Sequence, residues 1–145
     1  YEGLRGKVQM IYIDPPYGIR YDSNFQQRVD STKNDSKDVA DDVVTVRAYR
    51  DTWSLGCHTW LQYLQQRLYV AREMLASTGS VFVQINDENL HRARMLCDEV
   101  FGANNYIRVI TFRKKSMPLG GVFLEEMNDY LLWYAKDATE CLYQQ

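Results

Sequence analysis

The chain has 145 residues, 46% hydrophobic and 25% charged, with 17 Lys+Arg against 19 Asp+Glu for a net charge of -2. That length makes one domain and supports a core hiding roughly 68–70% of the unfolded surface, and the composition excludes wholesale disorder, collagen and coiled coil. The charge balance excludes a generally basic nucleic-acid binder, so contact with DNA requires a local patch.

In chain order, Val8 to Ile13 (VQMIYI) is a short apolar run that stops at Asp14-Pro15-Pro16. Apolar residues on both of its faces predict a buried strand of a mainly parallel sheet. The two prolines then turn the chain out of that sheet. From Gly18 to about Asp51 the chain is polar and rich in Asp, which predicts a long mobile insertion, either a lid or a solvated loop. Trp60, Leu64, Leu68, Ala71 and Leu75 recur on one helical face and predict a helix over 59–76. Ser77-Thr78-Gly79 ends it, with Gly79 suited to a left-handed exit.

Ser80 to Asn86 (SVFVQIN) reads as a second buried strand, and 88–100 as a helix with Leu90, Ala93, Leu96 and Val100 on one face. Asn86 or Asp87 caps its start and Gly102 closes it. Tyr106 to Phe112 and Asp129 to Ala135 read as two further strands, joined by a loop holding Pro118 and Gly120-Gly121. Strands alternating with helices predict an α/β, Rossmann-like, mainly parallel sheet with flanking helices. The last two strands have no helix between them and are expected to pair antiparallel.

Sites in open α/β sheets lie beyond the carboxyl ends of strands, where Asp14-Pro15-Pro16-Tyr17 falls. Asp14 is an anionic acceptor. Pro15 and Pro16 have no N–H, so the turn displays carbonyls without neighbouring donors. Tyr17 adds a flat aromatic face. Two acceptors and a stacking surface suit a planar group bearing an NH2, such as a nucleobase amine. If one N–H donates to Asp14 and the other to the Pro15 carbonyl, the nitrogen pyramidalises and its lone pair localises for attack on an electrophilic methyl. Charged hydrogen bonds contribute about 1.5–3 kcal/mol and stacking on Tyr17 roughly 1–3 kcal/mol. A base in a duplex must be flipped out to reach such a site. Asp-Pro is also a common turn start, and Tyr17 could simply be a packed aromatic.

IDPPY after an apolar strand resembles the amino-methyltransferase motif of S-adenosylmethionine-dependent DNA methyltransferases. The stretches YIDPPYGIRYDSNFQ, WLQYLQQRLYVAREMLASTGSVFVQINDENLHRARMLCDEVFG, NYIRVITFRKK and DYLLWYAKD are similar to successive parts of the β-class enzymes. The likeness is greatest to the modification subunits of type III restriction–modification systems. The resemblance implies methyl transfer from S-adenosylmethionine to adenine N6 in double-stranded DNA with a flipped base. Asp14, Pro15, Pro16 and Tyr17 would be catalytic, and Asp14 would also face the cofactor. It further implies a restriction subunit as a candidate partner, with self-association into a homodimer left open. Cytosine-N4 or RNA amino-methylation, and a non-catalytic nucleic-acid-binding remnant, are the alternatives.

The family's F-x-G-x-G cofactor motif, which follows DPPY in the β class, is absent. The 145 residues therefore read as the catalytic-motif half of a methyltransferase domain, cut from a longer protein and expected to be inactive alone. Tyr1 and the polar Gln144-Gln145 at the two ends agree with that.

The remaining residues carry weaker signals. Tyr21, Asn24 and Phe25 fit a lid over the base or a plain surface loop. Asp87 and Glu88 follow the second strand at the same sheet edge and fit helix capping, with ordering of the active site as the alternative. Arg113-Lys114-Lys115, with Arg108 and Phe112 nearby, are the concentrated basic patch, either a contact to DNA phosphates or a solvated strand end. His58 and His91 stand apart and read as structural, and no metal site is expected. Cys57, Cys97 and Cys141 are too far apart for a C-x-x-C, which predicts free thiols in a reducing, cytoplasmic setting. No signal-peptide core or apolar span of about 18 residues is present, so no membrane is expected.

Overall fold

The computed structural model describes residues 2–17, 57–114, 116 and 126–143. Contacts divide the chain into two compact units, Tyr1–Tyr17 with Leu61–Gln145, and Gly18–Trp60. The first carries the sheet and is described below. The insertion expected over 18–51 lies outside the described residues.

Four strands form one sheet: β1 (Val8–Ile13), β2 (Leu75–Ile85), β3 (Tyr106–Arg113) and β4 (Asn128–Ala135). Two helices accompany them, α1 (Cys57–Met74) and α2 (Asp87–Phe101). The sheet order is β1-β2-β4-β3. β1 pairs parallel with β2, while β4 runs antiparallel to both β2 and β3. The α/β architecture and the C-terminal antiparallel pair are as the sequence predicts. The sheet is mixed rather than mainly parallel among the described residues, because β4 runs antiparallel to both neighbours and inserts between β3 and β2.

Alternation along the strands assigns the faces. Val81, Val83 and Ile85 of β2 and Leu132 and Tyr134 of β4 are fully buried, on the face where the Tyr134 hydroxyl donates to Asp98 of α2. Ala93, Leu96, Cys97, Val100 and Phe101 are the buried side of α2, and Leu64, Leu68 and Ala71 that of α1. Gln65 of α1 donates to Glu99 of α2 at 3.0 Å, a side-chain link between the two helices. Each fully buried aliphatic side chain here contributes about 1.5–3 kcal/mol.

The opposite face is more open. Phe82 and Trp133 stack there with centroids 5.4 Å apart, and Met10 and Tyr12 are 65% and 52% exposed. β1 is therefore not the buried strand its composition predicts. It is an edge strand with Ile11 and Ile13 half-buried and its alternate residues exposed among the described residues.

Two glycines serve different ends. Gly102 has φ 90 and closes α2, its N–H donating to Asp98 O. Gly79 does not act as a left-handed helix exit, because α1 ends at Met74 and Gly79 already lies in β2. Its role is close approach: a Cβ there would lie 2.8 Å from Val8 O and 3.0 Å from Gln9 O, both backbone atoms of β1. Asn86 caps α2 as predicted, accepting from the Asn89 N–H.

Candidate active site

The carboxyl ends of β1, β2 and β3 meet the start of β4 at one edge of the sheet, since Ile85 is paired with Tyr130 and Arg113 with Asn128. Asp14, Pro15, Pro16 and Tyr17 leave β1 at this edge. Pro15 is buried and Asp14 is exposed. The Asp14 carboxylate accepts no hydrogen bond among the described residues and stays available to an incoming donor.

Tyr17 is held from three sides. Gln84 Nε2 of β2 donates to its hydroxyl at 2.6 Å, and the hydroxyl donates to Asp129 Oδ2 of β4 at 3.3 Å. Asn89 Nδ2 of α2 donates to its carbonyl at 2.6 Å. Gln84 Oε1 also accepts from the Tyr12 hydroxyl, so one amide bridges Tyr12 of β1 and Tyr17 of the motif. Burial raises the Tyr17 phenol's pKa, the Gln84 hydrogen bond opposes this, and the Asp129 and Asp14 charges add to it. The phenol therefore remains neutral at physiological pH and donates to Asp129 while accepting from Gln84.

Asp129 is 5% exposed, and a carboxylate so placed needs compensation. Lys114 Nζ supplies it, 2.9 Å from Asp129 Oδ1 and 3.3 Å from Glu126 Oε1. Burial pulls the Lys114 ammonium's pKa down, but its hydrogen bonds and proximity to the two carboxylates raise it overall. Glu126 accepts in turn from the Asp87 N–H at 3.3 Å, and the Tyr130 hydroxyl donates to Asp87. A continuous polar network thus links β1, β2, β4, the end of β3 and the first turn of α2.

The four motif residues are brought together with groups the sequence did not single out: Gln84, Asn89, Glu126 and Asp129. No signal in the sequence marks Asn89 in advance, because its burial shows only in the structure. Of the basic patch, Lys114 faces the two carboxylates, Arg113 donates to Ser116 O, and Lys115 lies outside the described residues, as do Tyr21, Asn24 and Phe25. Asp87 and Glu88 open α2, with Asn86 as its cap. Cys57, Cys97 and Cys141 are free thiols. Among the described residues no cluster of His, Cys, Asp and Glu fits a metal, and no helix is long and apolar enough to cross a membrane.

A family model described as DNA methylase (N6_N4_Mtase) matches residues 8–144. The chain belongs to this DNA methylase family. Among curated relatives, the methylase chain is 29% identical over 141 residues to the Type III restriction-modification enzyme EcoPI Mod subunit of Escherichia phage P1, covering 93% of this chain. It spans 22% of that relative's length. Two solved structures show the fold. TTHA0409 of Thermus thermophilus, described as a DNA modification methylase, matches with a TM-score of 0.58 at 12% identity, over 97% of this chain and 50% of that one. PvuII DNA methyltransferase, cytosine-N4-specific, matches with a TM-score of 0.54 at 11% identity, over 92% and 44%.

The family implies an S-adenosylmethionine methyl donor in general. The residues present fit part of that requirement. An exposed carboxylate and a neutral, tethered aromatic ring at one sheet edge suit a cationic methyl donor beside a planar acceptor, and the Gly-rich cofactor motif is not in this sequence.

Proposed function

We propose that this chain holds the target base of a site-specific DNA methyltransferase and that the acceptor atom is adenine N6. The observation that carries the reading is the DPPY turn itself. It leaves Asp14 exposed, and unpaired among the described residues, beside a Tyr17 tethered at both its hydroxyl and its carbonyl. Asp14 and the Pro15 carbonyl accept the two amine hydrogens and localise the nitrogen lone pair. Pro16 stiffens the turn, and the Tyr17 ring carries the base. When bound, S-adenosylmethionine supplies an electrophilic methyl group. The amine nitrogen would gain a bond to the methyl carbon as that carbon's bond to sulfur breaks and sulfur keeps the electron pair, and it would give up one proton, for which the exposed Asp14 carboxylate is an acceptor. No covalent bond to the protein is required.

On this reading the substrate is duplex DNA with a flipped base, and the protein works in the cytoplasm. A restriction subunit is the matching partner, by likeness to the relatives named as Mod subunits. Arg113 and Lys115 are proposed to meet DNA phosphates.

The test uses the protein in its full natural length, with radiolabelled S-adenosylmethionine and DNA, followed by chromatography of the digested nucleosides. Label in N6-methyladenine, lost on Asp14→Ala, supports the reading. Label in N4-methylcytosine moves the activity to the other amine of the family. Full activity of Asp14→Ala refutes the chemistry.

A further inference from the structure

The geometry points to Lys114 as a positioning residue that acts on Tyr17 through Asp129, rather than as a contact to DNA phosphate. This inference rests on the methyl-transfer reading above and adds to it a residue with a defined task.

The argument begins with Asp129. Its carboxylate is buried at the second residue of β4, one oxygen receiving the Tyr17 hydroxyl and the other the Lys114 ammonium. A buried carboxylate without a counter-charge is costly and is drawn toward solvent. That displacement moves the acceptor that meets the Tyr17 hydroxyl. Lys114 follows the last residue of β3 and is fixed there by its own backbone N–H, which donates to Met127 O at 2.9 Å. The ammonium is thus delivered by the paired ends of β3 and β4, not by a mobile tail. Its second carboxylate, Glu126, lies on the approach to β4 and accepts from the Asp87 N–H as well. Two carboxylates on one ammonium leave it little charge to offer an incoming phosphate. They make it the electrostatic centre of the network that orients the ring.

A ring that supports a base must be placed to a fraction of an ångström, because misplacement by about 1 Å can cost roughly a hundredfold in rate. Gln84 alone does not fix the hydroxyl, since its amide is shared with Tyr12. Asp129 supplies the second direction, and Lys114 holds the Asp129 carboxylate in place.

The experiment compares Lys114→Met, Lys114→Gln and Lys114→Arg in the full-length protein, alone and with Tyr17→Phe. Steady-state methylation and the salt dependence of DNA binding are both measured. Positioning predicts that Lys114→Met lowers kcat by roughly ten- to a hundredfold, with KM for DNA changed by less than about twofold. Lys114→Gln, which keeps a donor toward Asp129, should be intermediate, and Lys114→Arg should recover most of the rate. In the Tyr17→Phe background, where the hydroxyl is gone, Lys114→Met should have little further effect.

A phosphate contact predicts the reverse: a higher KM for DNA, a salt slope reduced by about 1, equal loss in Met and Gln, and effects that multiply with Tyr17→Phe. That pattern overturns the inference, as does an unchanged kcat. If Lys114→Met does not fold, the comparison of Lys114→Gln with Lys114→Arg carries the same contrast. Unmodified protein that methylates no DNA overturns the proposed function and this inference with it. Unmodified protein that methylates while Lys114→Met matches it overturns the inference alone.

Discussion

Asn89 donates its side-chain amide to the Tyr17 carbonyl at 2.6 Å while its own carbonyl oxygen accepts from Arg92. The residue is 1% exposed. A side chain on the first turn of α2 therefore fixes the backbone at the end of the motif that leaves β1. Its two polar ends are both satisfied, which is what permits burial of an amide.

Replacing Asn89 with Ala removes that donor and leaves the Tyr17 carbonyl without it. The expected cost is about 1–3 kcal/mol of stability, read as a lower urea midpoint with an unchanged slope. Methylation by the full-length protein should fall more than stability alone explains, because the motif loses a restraint close to the proposed base-binding ring. A variant with unaltered stability would mean that the bond contributes nothing net.

Gly79→Ala places a Cβ against the backbone oxygens of Val8 and Gln9 at 2.8 and 3.0 Å. Neither atom can rotate away, so β1 must shift from β2. Overpacking of this kind costs about 1–3 kcal/mol, and thermal melting should show it. The displaced strand is the one that carries Asp14, so the rate should decline together with the melting temperature. Gly3, where an added Cβ meets nothing within 4 Å, supplies the control: Gly3→Ala should leave both unchanged.

Alkaline pH should unfold the protein through its tyrosines. Burial raises Tyr134 well above its ordinary value, reinforced by its hydrogen bond to Asp98. Burial likewise raises Tyr17, with the Asp129 and Asp14 charges adding to it against the Gln84 hydrogen bond. A raised pKa means that the native state holds these protons more tightly than the unfolded chain, whose tyrosines titrate at about 10. The contribution is complete below about pH 10 and is lost as pH climbs through the folded values. Denaturation midpoints measured between about pH 8 and 11.5 should stay flat below the unfolded tyrosine pKa and fall above it. Absorbance at about 295 nm should show late ionisation of these phenols and of Tyr12 and Tyr130, which burial also raises. Tyr134→Phe should remove much of the alkaline fall.

The element order, the DPPY turn at a strand's carboxyl end, the Asn86 cap and the Gly102 stop were all legible in local pattern. Each depends on neighbours within a few residues, which spacing reports directly. Asp129 was not legible as part of the site. An acidic residue opening a strand looks like solvent-facing charge until β4 is inserted beside β2 and its start meets Tyr17, beyond the end of β1. Gln84 was hidden by strand alternation, which marks a residue's face but not its distant partner. Lys114 could be read only as one of three basic residues in a row, because its two carboxylate partners lie 12 and 15 positions further along. Exposure of Met10 and Tyr12 was missed for the same reason: an apolar run does not state whether its strand has one neighbour or two.

The bond from the Lys114 N–H to Met127 O has a consequence for how such a protein can diversify. It ties the two ends of a twelve-residue excursion together, with Lys114 and Asp129 seated at or below the knot and Glu126 as the last residue above it. Whatever is spliced above that knot, longer or shorter, leaves the anchoring groups where they were. Evolution can exchange the excursion as a cassette without reopening the chemistry beneath it.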